Sequence, residues 1–338
     1  MEETEATARR PRLDDVAADV GVSPATVSLV LRGVPGPSAG TRDRVLAAAA
    51  RLGYRPDRAA SVLASRRSRS IGVLIDVSNP FHGQLVEDLH EAADRHGYDL
   101  VLSTVTRSRD ERRAEETLLD SRCEALVLLG PEAPDEKLTA LGRRLPVVVV
   151  GRPVRSSGVD VVRAADDDGV AEAVEYLAGL GHRRIAYVDG GPGAVATLRR
   201  RGYQRAMRRH GLADHIQVIR GGRTEGSGAG AAHVLLVKEP IPSAVLTFND
   251  RCAMGLIDTL VRAGVDIPGR ISVVGYDDSP VARLAHIDLT TVSQNTEELT
   301  EHAMRALIER LEGGRIEDRE VVVPPRLVIR GTARPPHR

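Results

Sequence analysis

The feature that most constrains this chain is a series of short, almost uninterrupted apolar runs beginning near residue 70. They are IGVLIDV (71–77), YDLVLSTV (98–105), ALVLLG (125–130), PVVVVG (146–151), RIAYVDG (184–190), IQVIRGG (216–222), AVLTFN (244–249) and ISVVGYDD (271–278). Amphipathic stretches of ordinary helix length lie between them. A strand that is apolar on both sides must be covered on both sides. The alternation therefore predicts parallel sheets with helices packed on each face. Eight such strands fit either one large sheet or two doubly wound halves. The stretch 154–165 is weaker, and a boundary between halves is expected near it. REVVVPPRLVI (319–329) adds two short strands around Pro324-Pro325.

The first seventy residues have a different texture. Residues 1–11 read as a disordered tail. Leu13, Val16, Ala17 and Val20 then recur at helical spacing until Gly21 breaks the run. Ser23 can cap a second helix with Pro24 at its first position, where a missing N–H costs nothing. Val27, Val30 and Leu31 form its apolar face. After a loop at Gly33–Gly36, Ser38 can cap a third helix carrying Val45, Leu46, Ala49 and Leu52. Gly53-Tyr54-Arg55-Pro56 ends it. Two short helices joined by a glycine turn predict a helix-turn-helix, whose second helix enters the DNA major groove.

Charge supports a nucleic-acid partner. Acidic and basic residues balance over the whole chain, 47 against 47, yet residues 9–69 hold twelve arginines and five acidic residues. A basic head on an acidic body points to a polyanion. Pro24, Ala25, Ser28 and Leu29 point outward from the second helix and suit van der Waals contact with thymine methyls as well as hydrogen bonds. Ser23, Thr26, Ser38, Thr41 and the arginines supply phosphate donors.

Other classes find little support. Cys123 and Cys252 belong to no CxxC pair, so neither a disulfide framework nor a zinc knuckle is expected, and a reducing cytoplasm fits. No apolar segment suits a signal peptide or a membrane span. Asp166-Asp167-Asp168 sits where a helix should begin, and acidic first-turn residues suit that place better than a metal does. Gly226-Ser227-Gly228-Ala229-Gly230 mimics a dinucleotide fingerprint but follows Thr224-Glu225, which already starts a helix. His182 reads as structural. No HExxH, GxSxG or Walker motif occurs, so neither enzyme activity, a cofactor nor a metal is expected.

The runs LDDVAADVGVSPATVSLVLRG, TRDRVLAAAARLGYRP and RAASVLAS resemble the headpiece of the LacI/GalR family of repressors. The resemblance continues through Ser78-Asn79-Pro80-Phe81, GLGHRRIA (179–186), RRRGY (199–203), Phe248-Asn249-Asp250, VVGYDD (273–278) and LTTV (289–292). It implies an all-α helix-turn-helix head (12–57), a hinge helix or linker (58–69), and an α/β core of two doubly wound parallel-sheet lobes resembling a periplasmic binding protein (70–338). The chain would cross between lobes near 165–182, 290–295 and 322–325. Leu13, Arg32 and Tyr54 would join the DNA contacts. Leu63, with Ala60 beside it, would wedge into the minor groove and kink the site. Leu29 stands where a groove-facing arginine is common in the family, so the operator sequence does not carry over.

Ligands of such sheets sit beyond the carboxyl ends of the strands. The resemblance assigns Phe81 as a stacking face and Arg199 as a multi-donor clamp. Asn249, Asp277 and Asp168 would hold hydroxyls, with Gln294 at a crossing between lobes. This set suits a sugar or sugar derivative. The expected protein is a cytoplasmic regulator, most simply a repressor, working as a homodimer on a palindromic double-stranded operator. The ending GTARPPHR has no heptad leucines, which favours a dimer over a coiled-coil tetramer. The competing readings are a transporter's solute-binding protein, which the basic head disfavours, and an enzyme on the same scaffold, for which no paired catalytic groups appear.

Overall fold

The computed structural model describes residues 11–31, 33–54, 67–155 and 158–337. The chain divides into two compact units, one ending at Ser68 and one beginning at Arg69.

The first unit holds α1 (Leu13–Val20), α2 (Pro24–Leu31) and α3 (Ala39–Leu52). Gly21 stops α1 in the left-handed conformation at φ 73°, and Gly53 does the same for α3 at 66°. Ser23 Oγ accepts from the Thr26 N–H at 3.1 Å, and Ser38 Oγ from the Thr41 N–H at 3.3 Å. Both serines thus cap the helices that the sequence assigns to them. Val16, Val27, Val30, Val45 and Ala49 form the core, with Leu13, Leu52 and Tyr54 packed against it. Leu46, one of the apolar residues counted in the third helix, is exposed. It follows Val45 by one position, which turns it about 100° around the helix. The proposed tail (residues 1–10 of it), Arg32 and the hinge residues Ala60 and Leu63 lie outside the described residues.

The second unit has two lobes. The N-terminal lobe begins with β1 (Ser70–Asp76), α4 (Phe81–Arg95), β2 (Asp99–Val105), α5 (Glu111–Asp120), β3 (Ala125–Leu129), α6 (Asp135–Gly142), β4 (Val147–Val150) and β5 (Asp160–Ala164). The C-terminal lobe begins with α7 (Asp166–Gly179), β6 (Ile185–Val188), α8 (Ala194–Arg209), β7 (Gln217–Ile219), α9 (Glu225–Leu236), β8 (Ala244–Thr247), α10 (Asp250–Arg262), β9 (Ser272–Tyr276) and β10 (Thr290–Ser293). The chain then adds α11 (Thr296–Leu311) and β11 (Glu320–Val323) to the first lobe, and β12 (Arg326–Val328) to the second.

The sheet orders are β11-β5-β4-β3-β1-β2 and β12-β10-β9-β8-β6-β7. Every pairing is parallel except that of β12 with β10. Strands β3, β4, β6, β8 and β9 are buried throughout, as two-faced coverage by helices requires. The chain passes between lobes at Ala165, at Gln294-Asn295 and at Pro324-Pro325.

Two strands do not stand among the apolar runs, β5 (DVVRA) and β10 (TTVS). Their polar residues are satisfied internally. Asp160 is fully buried and accepts from Arg310 Nε at 2.7 Å, Arg315 Nη2 at 2.8 Å and the Arg319 N–H at 2.8 Å. Burial opposes its charge, but these donors hold the carboxyl below its ordinary range. In β10, Thr290 Oγ1 donates to the Arg330 carbonyl at 3.0 Å and Thr291 Oγ1 to Asp250 Oδ1 at 2.6 Å. One glycine of the run 226–230, Gly228, has a packing role. A Cβ on Gly228 would lie 1.9 Å from the Cys252 carbonyl oxygen, and one on Gly255 1.8 Å from that of Glu225, so α9 and α10 meet backbone to backbone.

Candidate functional site

The site is built where the lobes join. Asp166 opens α7 immediately after the first crossing and Gln294 stands at the second. The third packs against α7, since a Cβ on Gly169 would come within 2.8 Å of Pro325 Cγ and 2.9 Å of the Tyr276 hydroxyl. Two polar groups of the cleft floor, Asp166 and Gln294, therefore stand at crossing segments.

Arg199 is the centre of this floor. It projects from α8, is nearly fully buried, and lies between two rings, with its guanidinium carbon 3.5 Å from the Tyr276 centroid and 4.7 Å from that of Phe248. Nε donates to Asp166 Oδ1 at 2.7 Å and Nη1 to the Phe248 carbonyl at 2.7 Å. Nη1 also lies 3.9 Å from Asp277 Oδ1. Burial works against both ions of the Arg199–Asp166 pair. It pushes the Asp166 carboxyl up, while the guanidinium pulls it back.

Asp277 follows β9, and Gln294 Nε2 donates to its Oδ1 at 2.7 Å. Burial pushes this carboxyl well above the ordinary range, against the pull of Arg199. Asp277 and Asp278 both have positive φ, 116° and 51°. Two successive non-glycine residues in this region store backbone strain, of order 1–3 kcal/mol each, where the site needs a sharp turn. Asp278 fixes the turn by accepting from Arg330 at 2.6 Å and Arg283 at 2.9 Å. Asp250, also fully buried, accepts from the Ser279 N–H and hydroxyl, both at 2.7 Å. Asn249 caps α10, its Oδ1 accepting from the Cys252 N–H at 2.9 Å, while Nδ2 donates to the Arg223 carbonyl at 3.2 Å.

Arg199, Asp277 and Gln294 thus meet in one floor, and Asn249 follows directly on Phe248, whose carbonyl accepts from Arg199. Phe81 comes from the opposite lobe, half-buried at the start of α4 against the N-terminal core. Asp168 does not join them. Its side chain is 71% exposed and pairs with Arg205 Nη2 at 2.7 Å. Two helical positions turn a side chain about 200°, so Asp166 faces the floor and Asp168 faces away. The acidic triplet was the available signal, and helical phase selects Asp166 from it.

Three cross-lobe contacts went unread in the sequence. Arg251 Nη1 donates to the Ser78 carbonyl at 2.6 Å, Gln84 Nε2 to the Asp278 carbonyl at 3.5 Å, and Arg223 lies 3.7 Å from Glu132. Arg251 is held in a fork by Glu225 at 2.8 and 2.5 Å. His82 also faces this region. Its Nδ1 accepts from the Asp76 N–H at 3.0 Å, which leaves the ring proton on Nε2. Burial lowers its pKa to about 4 despite nearby Asp76, so the ring is a neutral donor at physiological pH. Separation in sequence leaves such contacts no local signature.

In the head, Ser23, Pro24 and Ala25 are exposed at the start of α2, and Thr26, Ser28 and Leu29 are half-buried. Ser38 is exposed at the start of α3 and Thr41 half-buried, while Leu13 and Tyr54 contribute part of their surface to the head core. No helix among the described residues is long and apolar enough to cross a membrane.

Comparison with known proteins gives consistent matches. Residues 12–57 match the bacterial regulatory proteins of the lacI family, and residues 174–333 match the periplasmic binding protein-like domain. A LacI transcriptional regulator from a Rhodococcus species is 44% identical, with a TM-score of 0.77, over 79% of this chain and all of that one. The lac repressor dimer bound to operator and the anti-inducer ONPF is 29% identical, with a TM-score of 0.82, over 96% and 99%. The transcriptional regulator CelR in complex with cellobiose is 29% identical, with a TM-score of 0.70, over 96% and 100%. A helix-turn-helix head joined to a two-lobed core, matched along nearly its whole length, makes this chain a member of the LacI family of DNA-binding transcription regulators.

Proposed function

We propose that the protein is a repressor that grips a palindromic operator as a homodimer and alters its hold when a sugar or sugar derivative binds between the lobes. It acts in the cytoplasm and catalyses no reaction. Residues 12–57 read the DNA, 58–69 form the hinge with Leu63 as wedge and Ala60 beside it, and 70–338 bind effector and pair the subunits. Arg32 holds phosphate. Arg199, Asn249, Asp277 and Gln294 form the polar floor for hydroxyls, with Phe81 as the opposing apolar face.

The observation that carries this reading is that Asp166 and Gln294, which bond Arg199 and Asp277 of the floor, stand at the crossings. A ligand that draws on Asp277 and Gln294 pulls on the segment that sets the angle between lobes, which couples occupancy to conformation. The operator-bound lac repressor dimer and the cellobiose-bound CelR supply the parallels for DNA, dimer and sugar.

The test is selection of duplexes from a random library by the full-length protein, then titration of the selected complex with a panel of neutral sugars. We expect a two-fold symmetric motif, and a sugar that both raises the melting temperature and changes operator affinity. An enriched motif without two-fold symmetry would contradict the dimer. A panel in which no sugar moves either quantity would contradict the effector.

A further inference from the structure

We infer that the C-terminal lobe carries a second ligand site, a groove for a phosphate-bearing small molecule at the end of its sheet remote from the cleft. The groove measures about 490 Å³, within the usual range for small-molecule pockets. Its cations come from the amino ends of the strands. Arg183 and Arg184 immediately precede β6, and Arg270 precedes β9. Asn249 and Asp277 stand at the carboxyl ends of the same sheet, so the two sites are separated by the length of the strands.

Charge defines the ligand. Among the described residues, none of the three guanidiniums has a side-chain hydrogen bond or an ion pair. His215 and His337 add two imidazoles to the lining. Its one carboxylate, Asp266, lies 3.7 Å from Arg334, a cation outside the lining. This surplus sits in a body, residues 70–338, with 39 acidic and 35 basic residues. General basicity therefore does not explain it. Guanidinium forks match phosphate oxygens in geometry as well as charge.

The walls are fixed. His182 is buried behind the groove, with Nδ1 2.9 Å from Ser243 Oγ and Nε2 2.9 Å from the Arg334 carbonyl. The Arg334 N–H donates to Ser272 Oγ at 3.1 Å, which pins the segment leading to Pro336 and His337. Gly269 keeps the opposite wall open, since a Cβ there would lie 1.6 Å from Asp266 Oδ2. A half-open concavity of this size fits a compact phosphorylated molecule better than an extended polyanion.

The test is calorimetric titration of the full-length protein with inorganic pyrophosphate. Wild type and Asp277→Asn should bind it saturably at one site per chain, and Arg183→Ala/Arg270→Ala should bind at least about tenfold more weakly. Hydrogen exchange on wild type adds a readout independent of any variant's folding, with protection expected around 181–184 and 266–270. Non-saturable binding, equal affinity in the double variant, loss of binding in Asp277→Asn, or protection elsewhere would overturn the proposal. Weakened binding of non-specific duplex DNA by the double variant, with pyrophosphate unaffected, would assign the groove to nucleic acid and overturn it as well.

Discussion

Arg199 has a role in the fold besides the one proposed for it in the ligand site. It is the counter-ion of fully buried Asp166, so truncation leaves a carboxylate without compensation. Arg199→Ala should cost about 3–5 kcal/mol in urea unfolding, with part recovered by adding Asp166→Asn, which removes the stranded charge. A loss confined to ligand binding would contradict that role. Asp277 offers a cleaner probe of the cleft. Burial raises its carboxyl, with Arg199 pulling back. A folded-state pKa above the unfolded value gives stability that is complete below the unfolded value and is lost as pH climbs through the folded one. The melting temperature of wild type minus that of Asp277→Asn should therefore be greatest in acid and fall as pH rises above the ordinary carboxylate range. A difference independent of pH would refute this. Asp168→Ala, by contrast, removes an exposed pair with Arg205 and should change stability by no more than about 0.5 kcal/mol and leave effector affinity unchanged in titration.

At the level of elements, capping gives the head its boundaries. Ser38→Ala deprives the Thr41 N–H of its acceptor and should destabilise the head by about 0.5–2 kcal/mol. Faster hydrogen exchange in α3, weaker operator binding and unchanged effector affinity would together support this. Strong periodicity made these helices legible, and continuous apolar runs did the same for β3, β4 and β9. The strands β5 and β10 were illegible for a common reason. Asp160 and Thr291 look like surface residues until their partners arrive from α11, the segment before β11, and α10, far along the chain. The candidate site divides similarly. Asn249 and Asp277 could be read from their places at strand ends, and Arg199 only from the family resemblance. Asp166 required the phase of a helix, and Arg251 required two lobes to be brought face to face.

On the scale of the core, Arg251 links the lobes by one charge-assisted hydrogen bond to the loop that leads into α4 and Phe81. Removing it should favour parting of the lobes. Arg251→Ala is expected to enlarge the radius of gyration of the unliganded protein and weaken effector binding about tenfold, the worth of one such bond at about 1.5 kcal/mol. Unchanged scattering and affinity would show that the lobes stay together without it. The contacts Arg251–Ser78, Gln84–Asp278 and Arg223–Glu132 have a consequence in time as well as in energy. On the proposed reading, an effector held between the lobes leaves only when they part, so its residence is bounded by the opening rate. Hinge motions of this kind run on microseconds to milliseconds. On the proposed reading, the delay between a falling effector concentration and the answering change at the DNA is then set by three contacts made apart from the floor residues.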